Sequence, residues 1–362
     1  MSRSETDNIC GNGDRMDFRS DNVSSVSPEI LNDLVTANQG TSTSYAEDDL
    51  TRAVTRKLQD VFEHPVRFFP VLTGTASNAL ALSILTPPYG GIFCSDEAHI
   101  YYDECAAPEF FTGGAKLIGL PSLNGRISAA GAEKAIAKGI SSGIHHAKPS
   151  TVSITQATEL GTVYSPDEVR AIASIAQQFG MHLHMDGARF ANAVASLNVS
   201  PADLTWRAGV DVLCLGATKN GALSAEGVVI FNKDIGDDLG YRVKRSGHLA
   251  SKSRFISSQW LAYLTDNLWL KNATWANAMA QRLSAGVAAL PMAKIVFPTE
   301  ANEVFVSVGD EILEGLKRRG VRFSEWPADE GTVLRFVTSF NTPQADVDAC
   351  VAAFVATGCV PV

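Results

Sequence analysis

The sequence predicts an α/β fold, a mostly parallel sheet with helices on both faces, followed by a small α+β domain. Three observations carry this expectation. Short apolar runs alternate with helical stretches from about residue 75 to residue 232, the pattern of strand–helix–strand units. Two of the runs end near ionisable residues, Asp186 and Lys219, and sheets of this kind bind ligands outside the C-terminal ends of their strands. After about residue 255 one long helical stretch replaces the alternation, and short strands and helices follow it.

The elements follow in chain order. Residues 1–15, MSRSETDNICGNGDR, lack the apolar segment of a signal peptide and read as a flexible arm. Residues 16–254 form the expected large domain. Its helix Thr75–Leu85 is followed by candidate strands at Ile92–Ser95, Lys116–Leu120 and Thr151–Thr155. The helix Pro166–Phe179 has a legible start: Ser165 as N-cap, Pro166 in the first helical position and Glu168 completing a capping box, with Gly180 as its C-cap. Further strands are expected at His182–Asp186, Val212–Gly216 and Gly227–Asn232. Residues 255–362 form the expected small domain. It comprises a long helix over about Ser257–Leu290, a strand Glu303–Val308, a helix Asp310–Arg319, strands Val321–Glu325 and Thr332–Thr338, and a last helix from Pro343 capped by Thr342.

Composition narrows the function. The chain has 362 residues, 45% hydrophobic and 19% charged, enough for one large core and a second smaller one. Its net charge of −9 argues against a nucleic-acid binder and against an anionic membrane surface. No apolar run is long enough to span a bilayer. The cysteines Cys10, Cys94, Cys105, Cys214, Cys350 and Cys359 form no CxxC pair and read as reduced thiols of a cytoplasmic protein.

The chemistry starts at the strand ends. Desolvation of Lys219 lowers an ammonium pKa and favours a nucleophilic amine suited to Schiff-base formation. Asp186, ending a neighbouring strand, can keep a heterocyclic nitrogen protonated. The pair suggests pyridoxal phosphate (PLP). Gly74 and Thr75 open a helix whose free N–H groups and dipole make an anion site. His99, just past a strand, can stack on an aromatic cofactor or move a proton. Arg335 lies inside the apolar strand Val333-Leu334-Arg335-Phe336-Val337 and requires an anionic partner, which a substrate carboxylate would supply. Arg189 can serve a substrate carboxylate or a neighbouring Asp. Arg242, Lys244, Arg245, Lys252 and Arg254 form a basic cluster open to phosphate. A competing reading is a metal-dependent hydrolase, because His182, His184 and Asp186 alternate along one strand face.

Taken in order, Phe18-Arg19-Ser20-Asp21-Asn22, Tyr45-Ala46-Glu47-Asp48-Asp49, Thr73-Gly74-Thr75-Ala76-Ser77-Asn78, Ala98-His99, His184-Met185-Asp186-Gly187-Ala188-Arg189 and Leu334-Arg335-Phe336-Val337-Thr338 resemble the low-specificity L-threonine aldolases. These belong to the aromatic amino acid β-eliminating lyase/threonine aldolase family of fold-type-I PLP enzymes. The resemblance implies a large domain with a mostly parallel seven-stranded sheet, and cleavage of β-hydroxy-α-amino acids to glycine and an aldehyde. It implies Lys219 as the Schiff-base lysine, Asp186 on the pyridinium nitrogen, Gly74 and Thr75 on the phosphate, and His99 stacked on the ring. Ser20, Arg189 and Arg335 would take the substrate carboxylate. Tyr45 would reach a neighbouring subunit's site in a homotetramer with active sites at dimer interfaces, and Lys252 or Arg254 would contact phosphate there. Two departures stand out. Glu159, in Thr158-Glu159-Leu160-Gly161, replaces the family's frequent loop histidine, which leaves His99 or Glu159 as the β-hydroxyl base. Ala217-Thr218-Lys219-Asn220-Gly221 differs from the commoner Ser-Lys-Gly. The alternatives within PLP chemistry are a β-eliminating lyase and an aminotransferase.

Overall fold

A computed structural model describes residues 16–326 and 332–358; the expected N-terminal arm and Cys10 and Cys359 lie outside them. The large sheet has seven strands: β1 (Arg67–Val71), β2 (Gly90–Ser95), β3 (Lys116–Leu120), β4 (Lys148–Thr155), β5 (His182–Gly187), β6 (Val212–Gly216) and β7 (Glu226–Ile230). Their order is β1-β7-β6-β5-β4-β2-β3. The five strands from β6 to β3 are parallel, while β7 runs antiparallel to both β6 and β1.

Alternation along β6 shows why helices cover both faces. Val212 and Cys214 join one apolar cluster with Ala76, Leu80 and Leu85 of the helix Gly74–Leu85. Leu213 and Leu215 point the other way, into the main core with Val169, Ile172 and Ala176 of the helix Pro166–Gln178. Every residue of β6 is buried, as a strand between two helix layers requires. The capping box at Ser165 and Glu168 is present, and Gly180 follows at φ +64°.

A second sheet of four strands has the order β10-β11-β9-β8, all antiparallel: β8 (Ala293–Ile295), β9 (Glu303–Val308), β10 (Ser324–Trp326) and β11 (Thr332–Val337). Its core is separate and includes Val304, Val306, Leu334 and Phe336, with Phe354 from the helix Gln344–Gly358. The N-terminal segment belongs to this core too: Phe18 is buried beside Phe336, and its backbone bonds to Arg322 and Val337.

Four details differ from the sequence reading. Arg67–Val71 is a strand although it contains Pro70; it lies at the sheet edge, where a missing N–H costs no ladder bond. The expected continuous helix Ser257–Leu290 is two, Arg254–Leu264 and Leu268–Ala288, because Asp266 and Asn267 adopt φ of 50° and 56°. These residue types tolerate the left-handed region that stops a helix. The strand expected at Val321–Glu325 forms at Ser324–Trp326 instead, and Arg322 makes a lone bridge to Asp17. Thr342 does not cap the last helix; its Oγ1 accepts the Ser339 N–H at 2.8 Å.

Candidate active site

The C-terminal ends of β4, β5 and β6 and the start of the helix Gly74–Leu85 converge on one cleft of about 50 Å³. It is small beside the roughly 300–1,000 Å³ usual for small-molecule sites. Gly74, His99, Glu159, Asp186, Arg189 and Lys219 all line it, as do Asn78, Glu104 and Thr155. Thus six residues expected from sequence meet in one place.

Each is held by identifiable neighbours. β5 delivers Asp186 to its end, buried, where Oδ2 accepts from Asn78 Nδ2 at 2.7 Å and Oδ1 from the Ala188 N–H at 3.0 Å. Asn78 also donates to Glu104 Oε1 at 2.8 Å, and that oxygen faces His99 Nδ1 at 2.9 Å. A chain therefore runs Asp186–Asn78–Glu104–His99. The Glu104 contact raises the His99 pKa against the opposing effect of burial. Lys219 sits in the turn Thr218–Asn220 directly after β6. Beneath it, Glu226 accepts from the Thr218 N–H, and burial raises that carboxyl to about 7.

Glu159 is half-buried, with one carboxylate oxygen bonded and the other enclosed without a partner among the described residues. Oε1 accepts from the His99 N–H at 2.7 Å and from Thr155 Oγ1 at 2.9 Å. Among the described residues Oε2 has no hydrogen-bond partner, and burial raises the carboxyl to about 7. Thr73 caps the helix Gly74–Leu85 by accepting the Ala76 N–H at 3.2 Å, and its carbonyl takes the Ser77 N–H. Of the orphan donors at a helix start, those of Gly74 and Thr75 remain for a ligand. A side chain built on Gly74 would meet open space.

The arginines are less free than expected. Arg189 Nε donates to Asp21 Oδ2 at 2.8 Å, and Nη1 lies 3.3 Å from Glu303 Oε2. Its partner is thus the neighbouring Asp that the sequence left open. Arg335 lies across the Trp326 ring, with Nη1 3.6 Å from Glu303 Oε1. Ser20 caps the turn Asp21–Val23 by accepting the Asn22 N–H, and that turn packs beside the lysine turn. Tyr45, Lys252 and Arg254 lie away from this cleft: Tyr45 under the Lys244 ammonium, Lys252 exposed, and Arg254 over Phe255.

The metal reading is corrected. His184 is buried between Ser153 Oγ (2.9 Å) and Cys214 Sγ (3.2 Å), and burial lowers its pKa to about 4. His182 faces Asp211 at 3.7 Å and lines a different depression. Asp186 is bonded to Asn78, and no metal-binding cluster of three occurs among the described residues.

Sequence reasoning missed Asn78, Glu104, Glu226 and Glu303. Asn78 carried one signal, standing one helical turn after Gly74 on the helix that opens the site. The others are set by long-range packing.

A lysine turn, a strand-end carboxylate and a helix N-terminus at the C-terminal edge of a seven-stranded sheet define the class as one of α/β enzymes. Solved structures share the fold. A Leishmania major threonine aldolase is 26% identical with TM-score 0.88, over 94% of this chain and 98% of that one. Mouse CSAD, at 16% identity and TM-score 0.75 over 95% of this chain and 84% of that one, shares the fold alone. The family model for beta-eliminating lyase matches residues 17–311, and the chain belongs to that family. Among its relatives is the low specificity L-threonine aldolase of Pseudomonas sp. (strain NCIMB 10558), 43% identical over 91% of this chain and 94% of that protein. The Pseudomonas aeruginosa protein of the same name is also 43% identical, over 90% and 93%.

Proposed function

We propose that this protein is a PLP-dependent aldehyde-lyase that cleaves L-threonine, L-allo-threonine and related β-hydroxy-α-amino acids to glycine and an aldehyde. The observation that carries the reading is the convergence of Lys219, Asp186, His99 and the Gly74–Thr75 helix start on one cleft. The donor set fits the cofactor: an amine, a buried carboxylate, and two N–H groups without acceptors among the described residues. The likeness to two aldolases at 43% identity supports the same reading.

PLP, when bound, supplies an aldehyde for the amine and a ring that accepts the electron pair of the breaking bond. Lys219 offers the amine that would hold it. Asp186, steered by Asn78, would keep a proton on the ring nitrogen. Gly74 and Thr75 would bind the phosphate, and His99, oriented by Glu104, would stack on the ring. Arg335 would anchor the substrate carboxylate, with Arg189 and Ser20 beside it. That anchoring fixes which bond at Cα is presented for cleavage. Glu159 Oε2, without a hydrogen-bond partner among the described residues, would take the β-hydroxyl proton.

The finer assignments are part of the proposal. We divide the chain into a large domain, 16–254, and a small one, 255–362. The helices opening the small domain pack first on the large core through Trp260 and Trp269, then on the small one through Leu283 and Val287. We place the protein in a reducing cytoplasm; Cys94, Cys105, Cys214 and Cys350 are unpaired, and no described helix is long and apolar enough to cross a membrane. A homotetramer, with Tyr45 and Lys252 or Arg254 completing a neighbour's site, accounts for exposed basic residues away from their own cleft.

Product analysis of the PLP-loaded protein tests the central claim. L-threonine should give equimolar glycine and acetaldehyde, and Lys219→Ala should abolish turnover and the borohydride-sensitive visible absorbance. Pyruvate and ammonia would instead indicate elimination, and a need for a keto-acid acceptor would indicate transamination.

A further inference from the structure

One carboxylate near the site has no role in the reaction described above. Glu303, at the start of β9, is buried, and neither of its oxygens makes a hydrogen bond among the described residues. It nevertheless stands between the two guanidinium groups assigned to the substrate carboxylate: Arg189 Nη1 is 3.3 Å from Oε2, and Arg335 Nη1 is 3.6 Å from Oε1. Arg335 Nε is also buried and without a partner among the described residues. The cluster thus holds a carboxylate and a guanidinium in charge contact with donor and acceptor positions left unfilled. Buried polar groups in that condition are rare unless something else is meant to complete them.

We propose that Glu303 is an internal stand-in for the substrate carboxylate, a positioning residue that occupies Arg335 in the free enzyme and takes up a proton when a carboxylate ligand arrives. This rests on Arg335 being the carboxylate anchor of the proposed function. Two carboxylates cannot both remain ionised at one guanidinium in a water-poor site. The groups facing Glu303 are Arg189, Arg335, Asp21 and Lys219. Asp21 is fully engaged by Arg189 and Asn302 and stays ionised, because Arg189 and Lys219 outweigh its burial. Of the two acids, Glu303 is the one that yields: burial raises its pKa, and the arginines only partly oppose this. The proton comes from solvent, and the ligand carboxylate inherits the ion pair. Substrate carboxylate binding is then linked to proton uptake, so it strengthens as pH falls. Glu303 would set the carboxylate affinity of this site without touching the bond that breaks.

The test uses PLP-loaded protein and [13C]acetate, a carboxylate without an amine, titrated by NMR between pH 7 and pH 9. Acetate remains ionised throughout that range. The relevant binding is the part lost in Arg335→Ala. In wild type its Kd should weaken with rising pH, approaching about tenfold per pH unit once Glu303 is ionised in the free protein. In Glu303→Gln the Kd should be tighter at pH 9 and flat across the range. A pH-independent Kd in wild type overturns the proposal without any variant, so misfolding of Glu303→Gln does not shelter it. An equal pH dependence in Glu303→Gln overturns it as well, by assigning the proton to another group. If Arg335→Ala removes no acetate binding, the carboxylate anchor itself is wrong. Aldehyde release from L-threonine, read on the same preparation, judges the aldolase reading separately.

Discussion

Glu159 and His99 share the cleft, and their surroundings separate their roles. His99 Nδ1 is committed to Glu104, whereas Glu159 is clamped through Oε1 and presents Oε2 unpaired. A general base works best with a pKa near the working pH, and burial places Glu159 at about 7. The sign follows: the ionised, proton-accepting form grows as pH rises through 7, so kcat, read at saturating substrate where carboxylate binding does not enter, should climb below that pH and level off above it. Glu159→Gln should lower kcat by roughly 10²–10⁴-fold and remove the climb. His99→Phe, which keeps a stacking ring and loses the contact to Glu104, should cost less and keep it. The opposite ranking would transfer the base role to His99. Lys219 and Asp186 were readable because a strand end in an α/β sheet is a functional address visible in one dimension. Glu104 and Glu303 were not readable, since what makes them notable is burial against Asn78, His99, Arg189 and Arg335, and no local pattern encodes those contacts.

At the level of elements, the N-terminus of the helix Gly74–Leu85 joins fold to chemistry. Thr73 occupies the Ala76 N–H and fixes the helix start at which Gly74 lines the cleft. Ser165 makes a comparable cap on the helix Pro166–Gln178, with no ligand role. Thr73→Ala and Ser165→Ala should each cost roughly 0.5–2 kcal/mol, visible as similar losses of Tm in the cofactor-free protein. Only Thr73→Ala should also weaken PLP retention, measured as the Kd from fluorescence titration. Equal cofactor affinity in both variants would separate the helix start from phosphate binding. The Ser165 cap was legible because proline, serine and glutamate stand at fixed spacing. The edge strand Arg67–Val71 was masked by Pro70, and the break at Asp266–Asn267 by an otherwise helical composition. A sheet edge accepts proline, and Asp266 and Asn267 are residue types that tolerate the left-handed backbone that divides the two helices.

Across the whole molecule, one ion cluster ties together parts far apart in sequence. Asp21 comes from the N-terminal segment that also supplies Phe18 to the small sheet's core. Arg189 follows β5 of the large sheet, and Glu303 and Asn302 belong to the small sheet and its approach. Asp21 accepts from Arg189 at 2.8 and 3.1 Å and from Asn302 at 3.1 Å, all within a buried region. Burial opposes its charge, but Arg189 and Lys219 outweigh burial and hold its pKa below the ordinary carboxylate value. A depressed carboxylate contributes stability that is present above the unfolded-state pKa and is lost as pH falls through the folded one. The contribution is therefore complete at neutral pH and disappears only in acid below about pH 4. Asp21→Asn keeps the shape and removes the charge, leaving Arg189 with Glu303 alone. Breaking a buried pair typically costs about 3–5 kcal/mol; the surviving Glu303 contact places this variant at the lower end, about 3 kcal/mol. The loss should appear as a fall in Tm at pH 7 that narrows as both proteins are taken below pH 4. Because the same pair positions the arginine wall of the cleft, KM for L-threonine should rise with it. A variant as stable as wild type at pH 7 would mean that the two sheets are held by their apolar contacts alone, and that the cluster serves binding rather than assembly.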